Sequence, residues 1–154
     1  MKLSMGRSGF LVGVLFLSPT PSQAKKANAP KDGEAGFASL FDGKTLKGWE
    51  GKKKFFRVQD RAIVGHSDKD VPRNEFIWSG VEVRNFYLAV DVKLAPDNRN
   101  AGIQFRSRRI PNHHEVIGYQ CDMGSWKPGV IWGALYDESR RRKMLAEGDQ
   151  QKIL

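Results

Sequence analysis

The chain has 154 residues, of which 40% are apolar, 28% charged and 10% aromatic, a composition typical of one globular domain rather than a two-domain enzyme. Its 26 Lys and Arg against 17 Asp and Glu give a formal net charge of +9. The basic residues are scattered along the chain, which argues against nucleic-acid binding. The single cysteine, Cys121, excludes an intramolecular disulfide.

The first 24 residues have the three-part pattern of a secretory signal peptide. Lys2 and Arg7 precede an apolar run over residues 10–17, and small residues lead up to Ala24, after which we expect cleavage. The run is much shorter than the ~20 residues of a membrane span, so we predict a secreted or periplasmic protein without a stable membrane anchor. Residues 25–36 lack apolar periodicity and are predicted to be a flexible linker.

From residue 37 onward, short apolar stretches alternate with Gly, Pro, Asn and Asp, a spacing typical of an all-β sandwich. Short strands are predicted at residues 55–58, 62–64 and 76–78. The clearest strand is predicted at 85–94, where every second residue from Phe86 to Leu94 is apolar. No long amphipathic helix is indicated before Asp137.

Three later stretches also alternate, at residues 101–108, 117–123 and 130–136. If one row of each strand fills the core, the other row gathers polar and aromatic side chains on a common surface: Gln104, Arg106, Gln120, Asp122, Trp132 and Tyr136. Amides and charged groups bind sugar hydroxyls, and aromatic rings stack on the C–H faces of a sugar, so this surface is a candidate carbohydrate groove. It is also typical of a solvated sheet face on which Arg106 or Arg108 pairs with Asp122.

Several other residues are predicted to have structural roles. His113 and His114 are adjacent and would point to opposite sides of a strand, which favours a surface loop over a metal site. Glu75 either enters the groove or protects an exposed sheet edge. The basic cluster at 140–143 has acidic flanks and is predicted to be solvated. The remaining candidates are expected to lie in the core: Trp49, Trp78 and Cys121.

Residues 41–49 (FDGKTLKGW), 56–65 (FRVQDRAIVG) and 100–107 (NAGIQFRS) resemble, in this order and spacing, the 3-keto-disaccharide hydrolase domain. Residues 118–122 and 132–140 resemble later signatures of one branch of that family. The resemblance implies a domain over residues 37–141 with the concanavalin A-like jelly-roll sandwich of two antiparallel sheets. It also implies a glycan bound on the concave face and activity on glycosides oxidised to a ketone at C3.

The chemistry implied by this resemblance needs a base, an acid and a group that stabilises an enolate. A ketone at C3 acidifies the hydrogen on C2, so a base can remove it while the C1 oxygen leaves, after which water adds. Asp122 is the preferred base or acid, Arg106 the clamp on the enolate or a hydroxyl, and Asp137 a second carboxylate. The expected sugar-positioning residues are Gln104, Gln120, Trp132 and Tyr136. Neither a metal nor a cofactor is predicted.

Relatives of this domain carry further strands after the region around residues 136–139, whereas residues 142–154 are predicted to be a polar tail without a strand pattern. We therefore expect unpaired sheet edges, poor solubility as a monomer and a tendency to form a strand-exchanged oligomer. Two other functions stay open: a non-catalytic carbohydrate-binding module, because one fold hosts many functions, and a secreted structural fragment with an incomplete site.

Overall fold

The structure, a computed structural model, describes residues 37–96, 98–126 and 129–149, together with the backbone of two short strands at 2–5 and 11–13. Throughout this part of the chain the regular structure consists of strands, and no helix is present. In chain order the strands are β1 Lys2–Met5, β2 Leu11–Gly13, β3 Trp49–Glu50, β4 Phe56–Gln59, β5 Ala62–Gly65, β6 Glu75–Ser79, β7 Lys93–Leu94, β8 Asn100–Arg109, β9 Val116–Trp126, β10 Gly129–Val130, β11 Leu135–Glu138 and β12 Met144–Ala146.

The strands form two antiparallel sheets. The large sheet has the order β12-β11-β9-β8-β1-β6-β3, with β10 paired to β9, and the small sheet has the order β4-β5-β2-β7. The prediction of an all-β fold built from antiparallel sheets is confirmed, as are the short strands near 55–58, 62–64 and 76–78. The jelly-roll order stays a prediction.

A hydrophobic core lies where side chains of both sheets meet. The small sheet contributes Phe56, Ile63 and Leu94, and the large sheet contributes Ile77, Ile103 and others. The full buried cluster is Phe41, Trp49, Phe56, Ile63, Val71, Ile77, Leu94, Ala101, Ile103 and Met123. Burying a large apolar side chain is worth about 1.5–3 kcal/mol, so this cluster supplies the main stabilisation of the sandwich. The prediction that Trp49 lies in the core is confirmed.

The strand predicted at residues 85–94 is wrong for most of its length, because only Lys93–Leu94 pairs with a neighbour. Its alternation is nevertheless real: Leu88, Val90 and Val92 pack against the core, whereas Tyr87 is 75% exposed. Period-two patterning reports which side of an extended chain is buried, and it does not require hydrogen bonds to a neighbouring strand.

The C-terminal region also differs from the prediction. The segment predicted as a polar tail contains β12, which pairs with β11 through Leu135–Ala146 and Tyr136–Met144. The predicted strand at 130–136 is divided between β10 and β11, with a loop between them. Sequence pattern missed β12 because a short edge strand needs only backbone pairing and no long apolar row.

The N-terminal strands occupy interior positions in both sheets. β1 lies between β6 and β8, and β2 lies between β5 and β7. The predicted signal peptide covers both strands, so its removal would leave these positions open; the cleavage and the poor solubility of the monomer stay predictions. The predicted linker at 25–36 lies outside the described residues. Where the structure describes the chain, none of it is a helix long and apolar enough to cross a membrane.

Candidate active site on the outer face of the large sheet

Alternation along β8 and β9 separates the core from an outer polar face. Ile103 and Met123 point into the core, so Gln104, Gln120 and Asp122 belong to the opposite face. Gln104 is directly opposite Gln120, and Gly102 is opposite Asp122. On the next strand Tyr136 is opposite Gln120 and Glu138 is opposite Gly118. The sheet therefore brings Gln104, Gln120, Asp122 and Tyr136 together, as predicted, and adds Glu138.

Three of these side chains form a continuous hydrogen-bonded series with Ser107, which we call the polar row: Ser107, Gln104, Gln120 and Asp122. The Ser107 hydroxyl is shared between Oε1 of Gln104, at 3.0 Å, and the carbonyl oxygen of Phe105, at 2.8 Å. Nε2 of Gln104 donates to Oε1 of Gln120 at 2.7 Å. Nε2 of Gln120 then donates to Oδ1 of Asp122. Gln104, Gln120 and Asp122 are all buried. Each amide is fixed by its neighbours, so the polar row holds the Asp122 carboxylate in one orientation.

Gly102 makes room for the polar row. A Cβ atom placed on Gly102 would lie 2.3 Å from Cδ of Gln120, so the Gln120 side chain lies across the glycine. A glycine within a strand often marks a place where a ligand approaches the backbone. At Gly102 the space is instead filled by a side chain of the protein itself.

A β-bulge determines what lies at the other end of the polar row. The register shifts between Phe105 and Arg108, so that Arg106 and Ser107 share the position opposite Gly118. Arg106 has φ 48° and is exposed. The extra residue brings Ser107 into hydrogen-bonding reach of Gln104, while Arg106, at the same bulge, lines the cavity that Gln104 also lines. Period two alone does not predict that two consecutive residues share one position.

Burial gives the carboxyl groups of this face unusual pKa values. Burial raises the pKa of Asp122 from 3.8 to about 6, although the Gln120 hydrogen bond lowers it. Burial, together with the negative charges of Glu115 and Asp122, raises the pKa of Glu138 from 4.5 to about 7. Burial and the Glu138 charge raise the pKa of Tyr136, so its hydroxyl stays protonated. Near neutral pH the face thus offers an ionised Asp122, a partly protonated Glu138 and a neutral phenol, the set needed for acid–base chemistry.

Asp137 and Trp132 are not brought to this face. Asp137 alternates with Tyr136 and Glu138 along β11, and its side chain is fully buried. It accepts a hydrogen bond from Nε of Arg140 at 2.7 Å and another from Nε of Arg141. Burial raises the pKa of Asp137, but these two guanidinium groups outweigh burial and lower it overall. Asp137 therefore ties the β11–β12 turn together. Trp132 packs against the hydrophobic core.

A cavity of about 820 Å³ opens beside the polar row, lined among others by Trp78, Gln104, Arg106 and Ser107. Trp78 and Gln104 are in register on either side of β1, so they share the outer face. The prediction that Trp78 is a core residue is wrong, because this ring is half-buried and stacks under the Arg109 guanidinium, 4.2 Å from its centroid. Gln104 belongs to both the cavity and the polar row and so connects them.

The other candidate residues make local contacts. Glu75 lies on β6, between two neighbouring strands, and is buried with ion pairs to Lys52 at 2.8 Å and Arg73 at 3.5 Å. The prediction of an exposed edge charge at Glu75 is wrong. The His113 and His114 rings stack at 4.3 Å. Within the ranges that the structure describes, no group of three or more His, Cys, Asp or Glu is placed to hold a metal ion. Burial raises the pKa of the half-buried Cys121 thiol.

A sequence model of the 3-keto-alpha-glucoside-1,2-lyase-like domain matches residues 36–153. The chain belongs to this family. The match takes in every strand from β3 to β12, including the C-terminal strand that lies beyond the predicted end of the domain at residue 141. The family name denotes a lyase-type role on carbohydrates, which agrees with the predicted class of protein. No curated protein and no solved structure matches the chain.

In this lyase-like domain, sequence reasoning missed three residues of the site. Glu138 follows Tyr136 by two positions on one strand, so the alternation that selected Tyr136 could also have found it. Ser107 and Trp78 carried no such signal. The bulge that places Ser107 near Gln104 and the register that aligns Trp78 with Gln104 across β1 are both set by neighbouring strands distant in sequence.

Proposed function

We propose that this domain is an exported enzyme that cleaves glucosides carrying a ketone at C3, by elimination followed by addition of water. The observation that carries the proposal is that two carboxyl groups with raised pKa values, Asp122 and Glu138, occur with the Tyr136 hydroxyl on one buried polar face of the large sheet. The family supplies the substrate class, and the pKa values supply groups able to move protons near neutral pH.

In the elimination, the Asp122 carboxylate takes the hydrogen from C2, which the neighbouring ketone has made acidic. The electron pair moves onto the C3 oxygen as an enolate, to which the neutral Tyr136 hydroxyl donates a hydrogen bond. When the enolate collapses, a C1–C2 double bond forms and the bond from C1 to the leaving oxygen breaks. Protonated Glu138 gives its proton to that oxygen, and the alcohol leaves.

The addition of water reverses these roles. Ionised Glu138 takes a proton from a water molecule as the water oxygen bonds to C1, and protonated Asp122 returns its proton to C2. The sum of both steps is hydrolysis to a 3-keto sugar and an alcohol, with both carboxyl groups restored. The raised pKa of each group suits it to alternate between base and acid.

Binding of the sugar would use the cavity beside the polar row. Trp78 lines it with a half-buried aromatic ring. Gln104 lines it with an amide that is oriented by Ser107 and Gln120 but fully buried, so a sugar reaches this amide only after neighbouring groups move. Such a combination of a flat ring and fixed amides suits a pyranose, which has apolar C–H faces and a rim of hydroxyls.

One observation favours a second function, that of a carbohydrate-binding module without catalysis. Asp122 is only 3% exposed, so a substrate reaches it only after neighbouring groups move. A binding module would use the cavity and leave Asp122 as a structural partner of Gln120. It would bind glycans, with an increase in Tm, and turn none of them over.

The experiment that separates the two functions compares the full-length chain with its Asp122→Asn variant on 4-nitrophenyl 3-keto-α-glucoside. Release of 4-nitrophenol by the parent chain and its loss in the variant are expected, with a fall of at least 100-fold, since positioned acid–base groups contribute about 10²–10⁴. The matched control is Asp91→Asn, which removes an exposed carboxylate. Full turnover by a folded Asp122→Asn variant would refute the assignment.

The proposed site of action is outside the cytoplasm. The support for export is the charged, apolar and small-residue pattern of residues 1–24. Mass spectrometry of the protein recovered from the periplasm or medium of an expressing bacterium is expected to find an N-terminus at Lys25. Recovery of the uncleaved chain from the cytoplasm alone would overturn the export proposal and leave the chemistry untouched.

A further inference from the structure

The bulge in β8 presents an arginine in a conformation that arginine seldom adopts. Arg106 has φ 48°, in the left-handed region where a Cβ atom is unfavourable and where Gly or Asn is usual. Bulges of this kind typically place a glycine at the left-handed position. Glycine at this position would remove the backbone strain. A residue other than glycine that is held in a strained conformation indicates that its side chain has a use.

The surroundings leave the Arg106 guanidinium largely uncommitted. Its single hydrogen bond to a described residue is a long one, 3.5 Å, to Oδ1 of Asn85, so most of its five N–H donors have no protein acceptor there. Arg109, which lines the same cavity, differs: it is paired with Glu50 at 2.8 Å and held against Trp78. The positive charge of Arg109 is therefore already used, and that of Arg106 is available to a ligand.

Arg106 lies some distance along the sheet from the proposed base, Asp122. Asp122 is opposite Gly102, and Arg106 lies four residues further along β8. With about 3.3 Å per residue and about 4.8 Å between strands, the Cα atoms are roughly 12–14 Å apart. Glu138, the proposed acid at the leaving oxygen, lies opposite the same residue, Gly118, on the other side of β9, so a group that reaches Arg106 belongs to the leaving-group side of the cleaved bond.

We propose that Arg106 binds a carboxylate on the leaving group, so that the preferred substrates are 3-keto-glucosides of acidic alcohols such as hydroxy acids or uronic acids. The planar guanidinium fork matches a carboxylate with two parallel hydrogen bonds. Arg106 lines the same cavity as Trp78 and Gln104, the residues proposed to hold the sugar, so the leaving group of a bound glucoside lies within reach of Arg106. This specificity rests on the proposed function, because the carboxylate is recognised as part of the substrate of the same site.

The test uses two substrates of nearly equal shape and different charge, the 4-carboxyphenyl and 4-carbamoylphenyl 3-keto-α-glucosides. With the full-length chain, kcat/KM is expected to be about tenfold higher for the carboxylate, and added salt should reduce the ratio. In Arg106→Gln the ratio should fall to near one, whereas the control Arg57→Gln, an exposed arginine of the small sheet, should keep it. A ratio near one in the parent chain, or a ratio that Arg106→Gln leaves unchanged, would overturn the proposal.

A second variant distinguishes the loss of the Arg106 guanidinium from a loss of folding. Arg106→Gly removes the guanidinium and relieves the left-handed strain, so it should raise Tm while abolishing the charge preference. A binding measurement with the unoxidised 4-carboxyphenyl and 4-carbamoylphenyl α-glucosides needs no turnover. Tighter binding of the carboxylate that depends on Arg106, without turnover of either keto substrate, would retain the carboxylate site and reject the proposed catalysis. Turnover of both keto substrates at equal rates would retain the proposed catalysis and reject the carboxylate site.

Discussion

Replacing Asp122 with asparagine is expected to stabilise the fold at neutral pH. The folded protein raises the pKa of this carboxyl from 3.8 to about 6, because burial disfavours its charged form. A carboxyl with a raised folded pKa contributes stability below the unfolded pKa and loses it as the pH rises through the folded value. At 1.36 kcal/mol per pKa unit, a shift of about 2 units corresponds to about 3 kcal/mol lost by the parent chain above pH 6.

Asparagine avoids this loss. Its side-chain oxygen can still accept the hydrogen bond from Gln120, and it carries no charge at any pH. Urea unfolding of both chains between pH 4 and 8 is therefore expected to give nearly equal stabilities at pH 4 and an advantage of up to about 3 kcal/mol for Asp122→Asn at pH 7.5.

The exposed-site control, Asp91→Asn, should show no such pH-dependent gain. An Asp122→Asn variant that is less stable than the parent at pH 7.5, or a difference that does not change with pH, would refute the account of Asp122 as a buried, costly charge. A gain in stability together with a loss of turnover would mark Asp122 as a residue kept for function.

Three further predictions concern the same sheet. Turnover should follow a bell-shaped pH profile with its maximum between about 6 and 7, since Asp122 must be ionised and Glu138 protonated. In Glu138→Gln the fall in rate at alkaline pH should disappear. If that fall persists in the variant, Glu138 is not the acid. Gly102→Ala should displace Gln120, lower stability by about 1–3 kcal/mol in urea unfolding and reduce turnover, whereas Gly129→Ala, which has open space around it, should do neither. Asp137→Asn should lower Tm at neutral pH. The difference in Tm between variant and parent should close as the pH falls below 3.8, because a carboxyl with a lowered pKa stabilises the fold only while ionised. An unchanged Tm at pH 7 would contradict the role of Asp137 in the β11–β12 turn.

The sequence predicted the class of fold and the central strands well, for a simple reason. Alternation over 101–105 and 117–123 places one row in the core, and the structure places Ile103 and Met123 there and Gln104 and Asp122 on the other face. Binary patterning of this kind is a local property, so it can be found without knowing which strands are neighbours.

Pairing and register could not be found in this way. The alternation correctly marked Leu88, Val90 and Val92 as packing against the core, whereas Phe86 is 42% exposed and most of the segment joins no sheet. One additional residue at the bulge brought Ser107 into the polar row next to Arg106. Asp137 was selected as a catalytic carboxylate by type alone, whereas its partners Arg140 and Arg141 follow it in the same turn. The chemistry of a side chain identifies it as a candidate catalytic group. The residues that contact it in the fold decide whether it is free to react.

Turnover of 4-nitrophenyl 3-keto-α-glucoside at pH 6.5, followed as 4-nitrophenol released by the parent chain and by Asp122→Asn, shows whether Asp122 is the base of an enzyme that acts on 3-keto-glucosides. We expect release by the parent chain, no release from the unoxidised 4-nitrophenyl α-glucoside, and a fall of at least 100-fold in Asp122→Asn. Equal release by the folded variant, or cleavage of the unoxidised glucoside as fast as the ketone, would contradict it.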